Sequence, residues 1–112
     1  MKLRVVGGEI VSTNVRVADR FKDRLLGLMF KKNLEEGESL YISPCNSIHT
    51  FFMMFSLDVA FVDKNLKVVK VLSEMKPWRM SWLYLNAHSV VEMKAGTLSL
   101  KIKEGDTLEF YV

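Results

Sequence analysis

Apolar residues recur along the chain with a period of two in several short runs and with a period near 3.6 in one. LRVV (3–6), the pair Gly7-Gly8 and EIVS (9–12) read as two short strands around a tight turn, because paired glycines tolerate the positive φ that such a turn demands. NVRV (14–17) extends the second strand or starts a third. From Asp19 the period changes: Phe21, Leu25, Leu28 and Met29 fall at i, i+4, i+7 and i+8, with Arg20, Lys22, Asp23 and Arg24 facing elsewhere. This predicts a short amphipathic helix over 19–30, with Asp19 capping a backbone N–H at its start. Gly27 either ends that helix or lets it pack closely on a strand.

After the polar stretch 31–38, SLYIS (39–43) is strand-like, and Pro44 puts it at a sheet edge or ends it there, because proline cannot donate to a ladder. LDVAFVD (57–63) and LKVVKVL (66–72) bracket Lys64-Asn65 as a hairpin in which Asn65 is the residue suited to a left-handed conformation. HSVVEM (88–93), TLSLKI (97–102) and TLEFYV (107–112) continue the strand pattern. The expected fold is α+β and mainly antiparallel β, a small barrel or rolled sheet with one short amphipathic helix. Phe21, Leu25, Leu28, Phe61, Val91 and Leu108 lie on the apolar faces of their segments and are the expected core.

With 112 residues, 49% of them hydrophobic, the chain suits one globular domain over residues 1–112 with a single core. Sixteen basic against thirteen acidic residues leave a charge of +3, but the lysines are interspersed with acids rather than gathered, which argues against nucleic acid as the partner. One cysteine excludes an intrachain disulfide, and the N-terminus meets Gly7-Gly8 long before a signal-peptide core could form. The longest apolar run, FFMMF (51–55), is far too short to cross a bilayer. A cytoplasmic protein with a reduced thiol and no membrane association is the expectation. Nothing in the sequence specifies an oligomeric state.

Several motifs occur in a fixed order: Arg24-x-x-Gly27-Leu28-Met29, His49-Thr50-Phe51-Phe52-Met53, Leu57-Asp58-Val59-Ala60-Phe61-Val62-Asp63, Val91-Glu92-Met93-Lys94-Ala95-Gly96 and Gly105-Asp106. In that order and spacing the chain resembles the bacterial and archaeal family known as domain of unknown function 192, from about residue 15 onward. The resemblance implies a strand-rich fold and no particular activity. Many members carry a different polar run where this chain has His49 to Met53, and many carry a secretory leader.

The candidate chemistry concentrates in CNSIHTFFMMFSLDVAFVD (45–63), where a thiol, an imidazole and a carboxylate stand among aromatics. A helix over 45–54 would make Cys45 and His49 neighbours at i, i+4, but Pro44 and the β-branched and aromatic residues favour a strand, in which the two share a face about 13 Å apart at roughly 3.3 Å per residue, too far for proton transfer. His49 and His88 are the two histidines, and no spacing joins them with Cys45 into a metal site, so neither metal nor cofactor is implied. Asp58 interrupts an apolar run, where a carboxylate must be hydrogen-bonded or paired. It is either a structural acceptor or, with His49, the acid–base pair of a small hydrolase or lyase. In PWRMSWLY (77–84), Trp78 and Trp82 surround Arg79 without strand or helix period, as in a loop that either caps the open end of a barrel or lays aromatics across a groove. Arg24 would pair with Asp58 or Glu92. The sequence therefore favours a small binding or accessory module for a small molecule or a protein, with Arg24, His49, Asp58, Trp78, Arg79 and Trp82 as candidate binding residues.

Overall fold

A computed structural model of the chain describes residues 1–20 and 33–112. Eight strands follow in order: β1 (Lys2–Val5), β2 (Ile10–Ser12), β3 (Asn14–Ala18), β4 (Glu38–Ile42), β5 (Leu57–Val62), β6 (Val68–Met75), β7 (Ser89–Lys94) and β8 (Leu108–Tyr111). They form a three-stranded sheet ordered β2-β1-β8 and a five-stranded sheet ordered β3-β4-β7-β5-β6. NVRV is thus a third strand, not an extension of the second. Of the Gly7-Gly8 pair, Gly7 supplies the positive φ of 74°. At Gly8 a Cβ would stand 3.1 Å from that of Val5, so the Val5 side chain would have to give by a few tenths of an ångström to admit one.

Every pairing is antiparallel among the described residues except β3 with β4, which run parallel from Asn14↔Glu38 to Ala18↔Ile42. Parallel neighbours need a long crossover, and residues 19–37 provide it. Beyond Asp19 and Arg20, the amphipathic helix expected over 19–30 lies outside the described residues, as do Phe21, Leu25 and Leu28 of the expected core and Arg24 of the expected site. The described residues contain no α-helix.

The five-stranded sheet is covered on both faces. All six residues of β5 are buried, which is why LDVAFV reads as an almost unbroken apolar run rather than an alternation. Ala60, Val62, Val91 and Met93 pack against Leu3, Val11 and Leu108 of the smaller sheet. Val59, Phe61, Val90 and Leu40 pack on the other face beneath Ile48 and Met53. Phe61, Val91 and Leu108 are buried as expected.

The expected barrel is not closed. Among the described residues the two sheets, packed face to face, are joined through the backbone at corners, where the Val15 N–H donates to the Met1 carbonyl at 2.9 Å and the Val68 N–H donates to the Asp106 carbonyl at 2.8 Å, beside a Lys67↔Thr107 bridge. A central sheet buried on two sides needs a layer over each face, and that arrangement replaces closure. TLSLKI is not a strand either: Leu98–Leu100 is a 3-10 helix. Leu98 and Ile102 are buried while Leu100 is 82% exposed, so burial here follows i, i+4 and not i, i+2, with the Ile102 N–H bonded to the Leu98 carbonyl at 3.0 Å.

Two local expectations also change. In the 62–68 turn the left-handed residue is Leu66, at φ 63°, and not Asn65. Asp63 decides this by accepting the Asn65 and Lys67 N–H groups on Oδ1 at 2.8 and 3.0 Å, an Asx-turn that fixes the backbone around Leu66. Residues 43–56 are turns with a single bridge at His49, not a strand. Pro44 follows the end of β4, which is an interior strand.

Candidate functional site

Asp58 is fully buried on β5, with both carboxylate oxygens turned to backbone donors. The Glu74 N–H donates to Oδ1 at 2.9 Å and the Gly96 N–H to Oδ2 at 3.0 Å. Both donors sit in left-handed residues, Glu74 at φ 52° and Gly96 at φ 86°. The β5–β6 register passes from Leu57↔Met75 to Val59↔Leu72, so Ser73 and Glu74 together stand opposite Asp58 as a bulge. Asp58 fastens that bulge to the turn after β7.

His49 bridges Met80 in backbone pairing, and its half-buried ring stacks on Phe51 with centroids 5.0 Å apart. Its Nδ1 is buried and has no hydrogen-bond partner among the described residues. Ile48, next in the chain, packs on the Phe61 face of the sheet, whereas Asp58 alternates with Ala60 and Val62 on the opposite one. The sheet therefore separates the two groups that would have to cooperate as an acid–base pair.

The segment after β6 folds back along 46–52. Thr50, fully buried, ties it down. Its Oγ1 donates to the Lys76 carbonyl at 2.6 Å and accepts the Arg79 N–H at 2.8 Å, while the Thr50 N–H donates to the Arg79 carbonyl at 2.8 Å. The Ser81 and Tyr84 N–H groups continue the pairing with the Ile48 and Asn46 carbonyls at 2.8 and 2.9 Å. A small polar residue in an apolar run was the only sequence signal for this hub.

The pairing pushes apolar side chains outward. Phe52 and Trp78 both adopt φ 63°, and their rings meet at 4.8 Å. Met54, Met80, Trp82, Leu83 and Leu85 of the same two segments are exposed as well, Trp82 and Leu85 at 82%. Beside them a groove of about 350 Å3 runs along β6, lined by Lys70, Leu72, Met75, Arg79, Trp82 and Tyr84. Tyr84 anchors its floor by packing on Phe61 at 4.6 Å between centroids. Of the expected binding residues, Arg79 and Trp82 line the groove, Trp78 lies on the apolar shelf beside Phe52, His49 and Asp58 stand elsewhere, and Arg24 is outside the described residues.

Two further groups were not legible as sites. Cys45 and His88 line a second depression, joined by a Cys45 N–H bond to the His88 carbonyl at 2.8 Å, and the Cys45 thiol donates to the Ser47 carbonyl at 3.0 Å. His88 Nδ1 lies 3.0 Å from Ser89 Oγ, which also stands within hydrogen-bond distance of the Tyr41 and Ser43 hydroxyls. Glu92 on β7 stands opposite Leu40 and Val59, only 4% exposed. Burial pushes its carboxyl up from 4.5 to about 8, so it is largely neutral at pH 7.

The family model for domain of unknown function 192, described as "Uncharacterized ACR", matches residues 3–110. The chain belongs to this family. A UPF0127 protein of Pyrococcus horikoshii is 40% identical over 103 residues, 87% of each chain. A UPF0127 protein of Pyrococcus furiosus is 35% identical over 114 residues, 96% of each chain. A crystal structure of a protein of unknown function from Novosphingobium aromaticivorans superposes with a TM-score of 0.83 at 20% identity, covering 97% of this chain and 82% of that one. These relatives place the fold within the family and assign it no activity. The β6 groove and the shelf beside it are thus features of this DUF192 chain to be read on their own chemistry.

Proposed function

We propose that this domain is a binding module whose ligand lies in the groove between β6 and residues 79–84. The observation that carries the reading is the pair of walls: half-buried Leu72 and Met75 on the strand face Trp82 and Tyr84 across about 350 Å3, with Arg79 at the rim. A concavity in which aromatic and aliphatic side chains stand among charged and hydroxyl groups can hold an amphipathic ligand, and the exposed Phe52–Trp78 pair next to it in the chain adds apolar contact area. Asp58 is read as structural, since its oxygens hold two backbone N–H groups; a hydrolase built on Asp58 and His49 has no shared cleft to work in. We place the domain in a reducing, cytoplasmic setting, because a single cysteine can form no intrachain disulfide.

The test is a fluorescence titration with 1-anilinonaphthalene-8-sulfonate, an anionic aromatic probe. The reading expects saturable binding that falls at least tenfold in Trp82→Ala and is kept in Val17→Ala, a control on an exposed residue of β3 away from the groove. Equal binding by the parent and Trp82→Ala would contradict it.

A further inference from the structure

We infer that the groove receives an extended peptide segment bearing acidic side chains, which adds as a strand to the free edge of β6. The inference rests on the groove reading above and names its ligand. β6 is the last strand of the five-stranded sheet, bonded to β5 on one side. On its other side only the beginning is occupied, where the Val68 N–H donates to the Asp106 carbonyl and the Val68 carbonyl accepts the Gly105 N–H, both at 2.8 Å. From residue 69 to 75 no backbone partner stands on that outer side among the described residues. Every second residue of an antiparallel edge strand points its N–H and C=O away from the sheet, and those unpaired groups template another strand.

The edge and the groove coincide. Lys70, Leu72 and Met75 of β6 form one wall, and residues 79–84, held in place by Thr50, form the other. A small compact ligand would use the apolar wall and leave the strand backbone unsatisfied, whereas an extended chain uses both: main-chain bonds to β6 and alternate side chains against Trp82 and Tyr84. Charge selects the kind of chain. Lys70 and Arg79 line the groove with no acidic side chain, and the stretches 44–56 and 75–88 contain no aspartate or glutamate at all. Glu74, the one acid on β6, is outside the lining, and its N–H is held by Asp58. A second copy of the chain pairing through the same edge would bring Lys70 and Arg79 against their own kind, which disfavours self-association and favours a different, acidic partner.

The test pans a random seven-residue peptide library displayed on phage against the immobilised domain. The winning peptide is then made in two forms, with free amides and with alternate amides N-methylated, which removes strand pairing but keeps the side chains. Three results are expected: enrichment of sequences alternating apolar and acidic residues, a loss of at least tenfold on N-methylation, and slowed amide hydrogen exchange at alternate positions of 69–75. Replacing Lys70 and Arg79 together by glutamine should weaken the free-amide peptide about threefold to tenfold and flatten its salt dependence, the size expected for two rim charges. A peptide that quenches Trp82 but binds equally well when N-methylated, or leaves the β6 amides unprotected, overturns strand addition and leaves the groove reading standing. Failure to enrich any peptide, with the anionic probe still bound through Trp82, overturns it in the same way. If the probe also ignores Trp82→Ala, both readings fall.

Discussion

Two apolar stretches of nearly equal richness serve opposite ends in this molecule. In LDVAFV every residue is buried, between a covering layer on each face of the sheet. In FFMMF only Met53 is buried, while Phe52 and Met54 face outward. Composition does not separate them; the backbone does. The first stretch is a central strand with a ladder on both sides, so either direction its side chains take is interior. The second is a turn with Phe52 at φ 63°, which breaks alternation and throws neighbouring side chains to the surface. Non-glycine residues at positive φ cost of order 1–3 kcal/mol, and here two aromatic ones, Phe52 and Trp78, touch each other on an exposed shelf. Apolar content in the sheet centre stabilises the fold, and apolar content on the shelf is available for contact.

The largest effect that separates the two regions lies at Glu92, inside the sheet centre. Its folded pKa of about 8 is above the ordinary 4.5, so between those values the folded state holds a proton the unfolded chain has released. Its contribution to stability is therefore fully present below pH 4.5, declines as pH rises toward 8 and levels off beyond it, the total bounded at about 5 kcal/mol. Glu92→Gln should remove that decline; urea denaturation of both proteins at several pH values measures it, and equal slopes would place Glu92 outside the dry interior.

Next in size is Phe61→Ala, which empties a fully buried site packed against Tyr84 and should cost about 3 to 5 kcal/mol in denaturation. Asp58→Asn follows. An amide offers one acceptor where the carboxylate offers two, so either the Glu74 or the Gly96 N–H loses its partner, at about 1 to 3 kcal/mol. An Asn variant as stable as the parent would remove Asp58 from the structural role given to it here.

These contrasts explain what was legible in the sequence. Strands with a local signal were readable: Gly7-Gly8 announces the first hairpin, and the valines of 57–72 announce the second. Non-local facts were not. Parallel pairing of β3 with β4 depends on where the crossover returns, and the free edge of β6 depends on which strand has no neighbour, neither of which leaves a mark on the strand itself. TLSLKI deceived because leucines two apart satisfy a strand template, although burial selected Leu98 and Ile102, four apart. The aromatic segment 77–84 was recognisable as a loop by its lack of period, but that Arg79, Trp82 and Tyr84 stand beside β6 was not, because their neighbour there is an ordinary strand. Glu92 was visible as a lone charge in an apolar strand, a signal that went to Asp58 because a richer run surrounded it.

The smallest stability effect is also the most direct test of the central claim, that the exposed apolar groove wall serves binding rather than folding. Urea denaturation and titration with 1-anilinonaphthalene-8-sulfonate, run side by side on Trp82→Ala and the parent, decide it. The prediction is a stability change within about 0.5 kcal/mol, as for an exposed residue, together with at least a tenfold loss of probe affinity. A variant that loses about 2 kcal/mol or more of stability while binding the probe as tightly as the parent would contradict the account.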